Sequence, residues 1–135
     1  MRQALIGLAI LGLLSTAQAK GKRAPVRELK NAPAIKESRD IRQPTAVTSL
    51  AEAEKLFGKE VAGKLALDVD FASEQILFFA WSGSGGDRLS ATLKKTDTEE
   101  VAVFEYTRGL TKDLHRHSRA FVIPKKAKWE FAGKK

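Results

Sequence analysis

The chain contains no cysteine. No disulfide can hold it together, no thiolate can ligate a metal, and no lipid can be attached at an N-terminal cysteine. Histidine is nearly absent too: there are two, His115 and His117, and both fall in one short run. Only four prolines occur in 135 residues, and no tract is repetitive or of low complexity. No nucleophile motif of the G-x-S-x-G kind is present. No stretch combines basic and aromatic residues as a nucleic-acid reader would, so nucleic acid is not an expected partner.

Long apolar runs are also missing, with one exception. Ala4 to Leu14 is an unbroken series of apolar residues and glycine. It follows Arg2 and precedes Ser15-Thr16-Ala17-Gln18-Ala19, a small-residue A-x-A ending. The run is shorter than the roughly 20 residues a membrane span needs. Residues 1–19 therefore read as an export signal cleaved between Ala19 and Lys20. The expected location is periplasmic or secreted, with no transmembrane span.

The 116 residues that would follow cleavage suffice for one domain with a core of its own, and not for two. Their charge is unevenly placed. Residues 20–44 carry 8 basic and 3 acidic side chains, residues 45–107 carry 6 and 11, and residues 108–135 carry 9 and 2. Two basic ends flank an acidic middle. Such ends suit anionic partners such as phospholipid, a cell-wall or other anionic surface polymer, or an acidic exported protein.

Residues 20–43 read as a basic arm or linker. Pro25 and Pro33 interrupt it, Pro44 closes it, and its apolar residues follow no period. So little apolar surface would not offset the entropy of ordering. A single compact domain is expected over residues 44–135.

Ser49-Leu50-Ala51-Glu52 has the S-x-x-E form of a capping box. Leu50, Ala53 and Phe57 then share one helical face, and Gly58 is placed to stop the helix. The spacing predicts a helix over about 49–57. Residues 60–67 fit either a short helix or the start of a strand. Gln75 to Trp81 is almost wholly apolar, as expected of a strand covered on both faces. Ser82 to Asp87 reads as a turn whose glycines supply positive φ. Arg88–Lys95 alternates like a half-buried strand, and Val101–Thr107 follows after a turn at 96–99. Residues 108–117 are polar and irregular. Ala120–Ile123 and the region of Trp129 and Phe131 suggest two last strands. Short connections favour antiparallel neighbours. The expected fold is α+β: a capped N-terminal helix packed on an antiparallel meander of about five strands.

Two stretches could carry chemistry. Gly83 to Arg88 is glycine-rich, but a strand follows it, whereas phosphate loops aim a helix N-terminus at the anion. Asp113-Leu114-His115-Arg116-His117 is denser. If extended, Asp113, His115 and His117 share one face, a donor set suited to a transition metal. Arg108, Arg116 and Arg119 could instead form an anion site. Asp87 and Arg88 complete the candidate binding residues. No organic cofactor is implied, and no catalytic residue is assigned. The leading reading is an exported, non-catalytic binding or protein-stabilising module. The alternative is a metal-dependent or anion-recognising enzyme using the Asp113–His117 region.

The segment Leu67-Asp68-Val69-Asp70-Phe71-Ala72-Ser73-Glu74-Gln75-Ile76-Leu77-Phe78-Phe79 leads through an apolar strand to Gly85-Gly86 and an alternating strand. Over residues 47–124 this order resembles the PrcB-type accessory subunits of surface protease complexes. It is also similar to uncharacterised exported domain families. In the PrcB-type pattern an aromatic usually follows the Gly-Gly pair, where this chain has Asp87-Arg88. The resemblance implies a secreted, non-enzymatic domain that binds or stabilises another protein.

Overall fold

The computed structural model describes residues 24–30, 32–35 and 37–133, so the apolar leader lies outside the described residues. The chain forms β1 (Arg27–Leu29), β2 (Thr45–Val47), α1 (Leu50–Phe57), α2 (Lys59–Ala66), β3 (Glu74–Gly83), β4 (Arg88–Lys95), β5 (Glu100–Thr107), β6 (His115–Pro124) and β7 (Lys128–Phe131).

The helix begins where its cap predicts. Ser49 is extended, and its side chain accepts from the Glu52 N–H at 3.2 Å. The reciprocal half of the box is shifted by one residue: the Glu52 carboxylate accepts from the N–H and hydroxyl of Thr48, not from Ser49. Those bonds, the backbone one first, hold the Glu52 carboxyl below its ordinary pKa. Gly58 ends α1 at φ 86°, a backbone that favours glycine, and the chain turns directly into α2. The ambiguous stretch after residue 59 is thus helical.

The single meander expected from the sequence is not what forms. Strands account for 43% of the structure and helices for 15%, so the fold is β-rich, and the strands divide into two sheets. One sheet has four strands in the order β1-β6-β3-β2, and the other has three in the order β4-β5-β7. The reason lies in β3. Both of its faces are apolar and both need cover. Ile76, Phe78 and Ala80, with Ala120 and Val122 of β6, pack against Ala53, Ala62 and Leu65 of the helices. Leu77, Phe79 and Trp81, with Phe121 and Ile123, pack against Leu89, Ala102 and Phe104 of the second sheet. The layers are helices, four-stranded sheet, three-stranded sheet. Phe79 sits in the middle of the second interface, with Phe104, Phe121 and Phe131 centred 4.8, 5.8 and 6.1 Å away.

Three further departures follow. The chain leaves the first sheet after β3, makes the β4–β5 hairpin, and returns to lay β6 along all ten residues of β3. The polar run His115–Arg119 is therefore strand and not loop. β7 joins β5 in parallel, not antiparallel. The basic arm is not wholly a linker: Arg27–Leu29 pairs with Ala120–Val122, Leu29 is buried, and Arg27 pairs with Glu74. A short edge strand anchored by one leucine and one ion pair leaves no periodic signal.

Candidate functional site

Two of the three passages between the sheets fall at one end of the molecule, the third being the 125–127 connection from β6 to β7. The 84–87 turn carries the chain from β3 to β4, and the 108–114 loop carries it back from β5 to β6. They line one open cleft of about 980 Å³.

Asp87 joins them. It is the buried charged residue of the described structure, at 4% exposure. Its Oδ2 accepts from Trp81 Nε1 at 3.1 Å and from the Tyr106 hydroxyl at 2.8 Å, and its Oδ1 accepts from the Gly109 N–H at 2.7 Å. Burial pushes the Asp87 pKa up, but these three donors together with His117 outweigh it and hold the carboxyl below its ordinary value. Burial and the neighbouring Asp87 push the Tyr106 phenol the other way, upward. All of Asp87's contacts are internal, so it positions the loops and is not itself a free binding group.

The glycines of this end serve close approach, which corrects the reading of a positive-φ turn. The glycines with positive φ among the described residues are Gly58 and Gly133. A Cβ on Gly83 would lie 2.1 Å from Asp87 Oδ2, and one on Gly109 would lie 2.5 Å from the Gly86 carbonyl carbon. Turn and loop touch backbone to backbone because neither carries a side chain there.

The odd-numbered residues of the loop and of early β6 close onto the turn. Gly109 donates to Asp87. The Thr111 N–H donates to Ser84 Oγ at 3.1 Å, and the two hydroxyls are hydrogen-bonded. Asp113 accepts from the Gly85 N–H and meets His115 Nε2. The Thr111 hydroxyl first, then Gly85 and His115, hold the Asp113 carboxyl below its ordinary value. His117 stacks on Trp81 at 4.8 Å and 20°. Its Nε2–H donates to the Ser84 carbonyl at 2.7 Å, and since a carbonyl can only accept, Nε2 carries the proton.

The expected metal trio is therefore not assembled. His115 and His117 do lie on one face of β6, opposite Gly83 and Trp81. Yet Nε2 of each is engaged, and among the described residues no group of three His, Asp or Glu side chains could hold a metal ion. The arginine trio is not assembled either. Arg119 pairs with Glu28 beside β1, away from the cleft, and Arg116 sits opposite Ser82 on the other face of the sheet from the histidines. Arg88 is exposed at the start of β4, opposite Thr107.

The even-numbered residues Arg108, Leu110, Lys112 and Leu114 line the same cleft, are all exposed, and are not among the residues bonded to the turn. Leu110 is 97% exposed and Leu114 80%, more than any other large apolar residue of the described structure. Arg108 and Lys112 have no ion-pair partner among the described residues. Composition does not single out these leucines, because two isolated apolar residues do not stand out in a polar, irregular stretch. The available signal was their alternation with cations.

Ser84 Oγ accepts from Thr111 and Gly86, and His117 bonds the Ser84 carbonyl and not its hydroxyl. Nucleophile and base are not paired. The site can hold and present groups. No family model, no curated protein and no solved structure matches the chain.

Proposed function

We propose that this is an exported, non-catalytic binding module whose contact element is the 108–114 loop. The carrying observation is the division of that loop. Its odd positions are bonded to the 84–87 turn, while Arg108, Leu110, Lys112 and Leu114 are left facing solvent on a fixed base. Binding groups on loops held by a rigid sheet are the usual arrangement for recognition. Unpaired cations at the rim favour an anionic partner and speed its approach. The expectation of export from residues 1–19 and the resemblance to protease accessory subunits agree with this reading.

The test is retention on an immobilised polyanion such as heparin. Arg108→Ala/Lys112→Ala should elute at clearly lower salt than wild type. A control pair that removes equal charge from the helices, Lys55→Ala/Lys59→Ala, should elute near wild type. Equal shifts for both pairs would mean that retention reflects net charge alone, and the loop would lose its assignment.

A further inference from the structure

The two most exposed large apolar side chains of the described structure, Leu110 and Leu114, lie four residues apart in one loop. Lys112 stands between them and Arg108 precedes them, and all four line the rim of one cleft. The loop's one carboxylate, Asp113, accepts from the Gly85 N–H and is bonded to His115, with 47% of its side chain still exposed. The loop thus presents two leucines and two cations without an ion-pair partner, and its one anion is already engaged.

The geometry points to an anionic phospholipid surface as the partner of this loop, with Leu110 and Leu114 entering the boundary between headgroups and acyl chains while Arg108 and Lys112 meet lipid phosphates. This inference rests on the binding-module reading and narrows its partner. One observation favours lipid over a folded acidic protein. The leucines are almost fully solvent-exposed and separated, so they form neither a pocket nor a broad patch of the kind a protein interface needs for its dry centre. A fluid bilayer requires no matching shape, only apolar area and a nearby cation. Among the described residues no helix is long and apolar enough to cross a membrane, so the contact would be peripheral. The loop's base is fixed by Asp87, so little order need be gained on contact.

The experiment uses the processed protein recovered from an exporting host, and vesicles of phosphatidylglycerol mixed with phosphatidylcholine against phosphatidylcholine alone. Wild type should sediment with the anionic vesicles and weakly or not at all with the neutral ones. Leu110→Ser/Leu114→Ser should lose roughly tenfold or more of that affinity, the scale set by withdrawing two partly buried leucines from an apolar phase. Leu67→Ser, at an exposed leucine of another surface, should bind as wild type does. Both loop leucines lie outside the core, so folding of the double variant is expected and is checked by its melting curve. As an independent readout, Leu114→Trp should show blue-shifted emission on adding anionic vesicles. Retention on heparin without vesicle binding would overturn the lipid inference and leave the binding-module reading standing, with a soluble acidic protein or polymer as partner. Vesicle binding that ignores the leucine substitutions would overturn it too, since adsorption would then be by charge alone. Failure on both matrices would sink both readings.

Discussion

The carboxylate of Asp87 accepts the Gly109 backbone N–H at 2.7 Å, and this bond ties the outgoing passage between the sheets to the returning one. The same side chain receives Trp81 from β3 and Tyr106 from β5. Two stretches distant in sequence, 81–87 and 106–109, meet at one buried charge. A buried carboxylate is tolerated only when its acceptors are filled, and here three donors fill them.

Removing Asp87 should therefore be expensive. Asp87→Ala leaves an indole N–H, a phenol and a backbone N–H without their acceptor, and we expect a loss of roughly 3 kcal/mol or more. Asp87→Asn separates charge from shape. It offers one acceptor oxygen in place of two, so it cannot serve all three donors without turning its NH₂ toward one of them. The pH dependence follows from the depressed pKa. The stabilisation from ionised Asp87 is present above the carboxyl's unfolded pKa and is lost as pH falls through its lower folded value. Urea melts of wild type and Asp87→Asn should differ most near neutrality and converge in acid. A gap that stays constant with pH would show that the ionised form of Asp87 is not what stabilises the fold.

Phe79 is 1% exposed at the centre of the sheet–sheet interface. Phe79→Ala should cost about 3–5 kcal/mol, because three neighbouring rings cannot all close on the void. Chemical denaturation measures it. A loss below about 1 kcal/mol would mean that the interface repacks, contrary to the usual behaviour of dense cores.

Much of this core was legible beforehand. The apolar run at 76–81 has no polar face, so its burial on both sides followed from composition alone. The helix start followed from Ser49 and Glu52. What covers each face of β3 did not follow. An alternating stripe such as Leu89, Ala91 and Leu93 tells which side is buried and not which sheet it faces. The outer half of β6 was illegible for another reason. His115, Arg116, His117, Ser118 and Arg119 have no apolar alternation, and their strand conformation comes from pairing with β3 and from the ring of His117 resting on Trp81. At the candidate site the sequence marked Asp87, Asp113 and the histidines as chemically dense. It could not show that three of these four serve the turn and one staples two sheets, because those partners lie 19 to 33 residues away.

The edge strand β1 makes a separate test. Leu29 is 6% exposed and packs in the helix-side core, and Arg27 pairs with Glu74. Leu29→Ala should lower stability by about 2–3 kcal/mol. Deleting residues 20–30 should do at least as much, since it also uncovers the edge of β6. An unchanged melting midpoint after the deletion would show that β1 adds nothing to the sheet in solution.

Gly109 offers the sharpest probe of how the contact loop is held. A Cβ there would meet the Gly86 carbonyl carbon at 2.5 Å, the Gly86 Cα at 2.6 Å and Ser84 Oγ at 2.6 Å. Two of these are backbone atoms that cannot rotate aside. Gly109→Ala must therefore push the 108–114 loop off the 84–87 turn. That movement lengthens the Gly109–Asp87 bond and the Thr111–Ser84 bonds together. We expect about 1–3 kcal/mol of destabilisation, in the range of overpacking in a tight contact. Loss of protection should be local: amide exchange should rise at Gly109 and Thr111, whose N–H groups donate across the contact, while the centre of β3 remains protected. Polyanion retention should change as well, because Arg108 and Lys112 would no longer stand on a fixed base. Gly63→Ala is the matched control, since a Cβ there meets nothing within 4 Å. Lying within a helix, that substitution should be neutral or slightly stabilising. If Gly109→Ala melts like wild type and exchanges no faster at Thr111, the turn and the loop are not clamped together, and the fixed base on which the binding site depends does not exist.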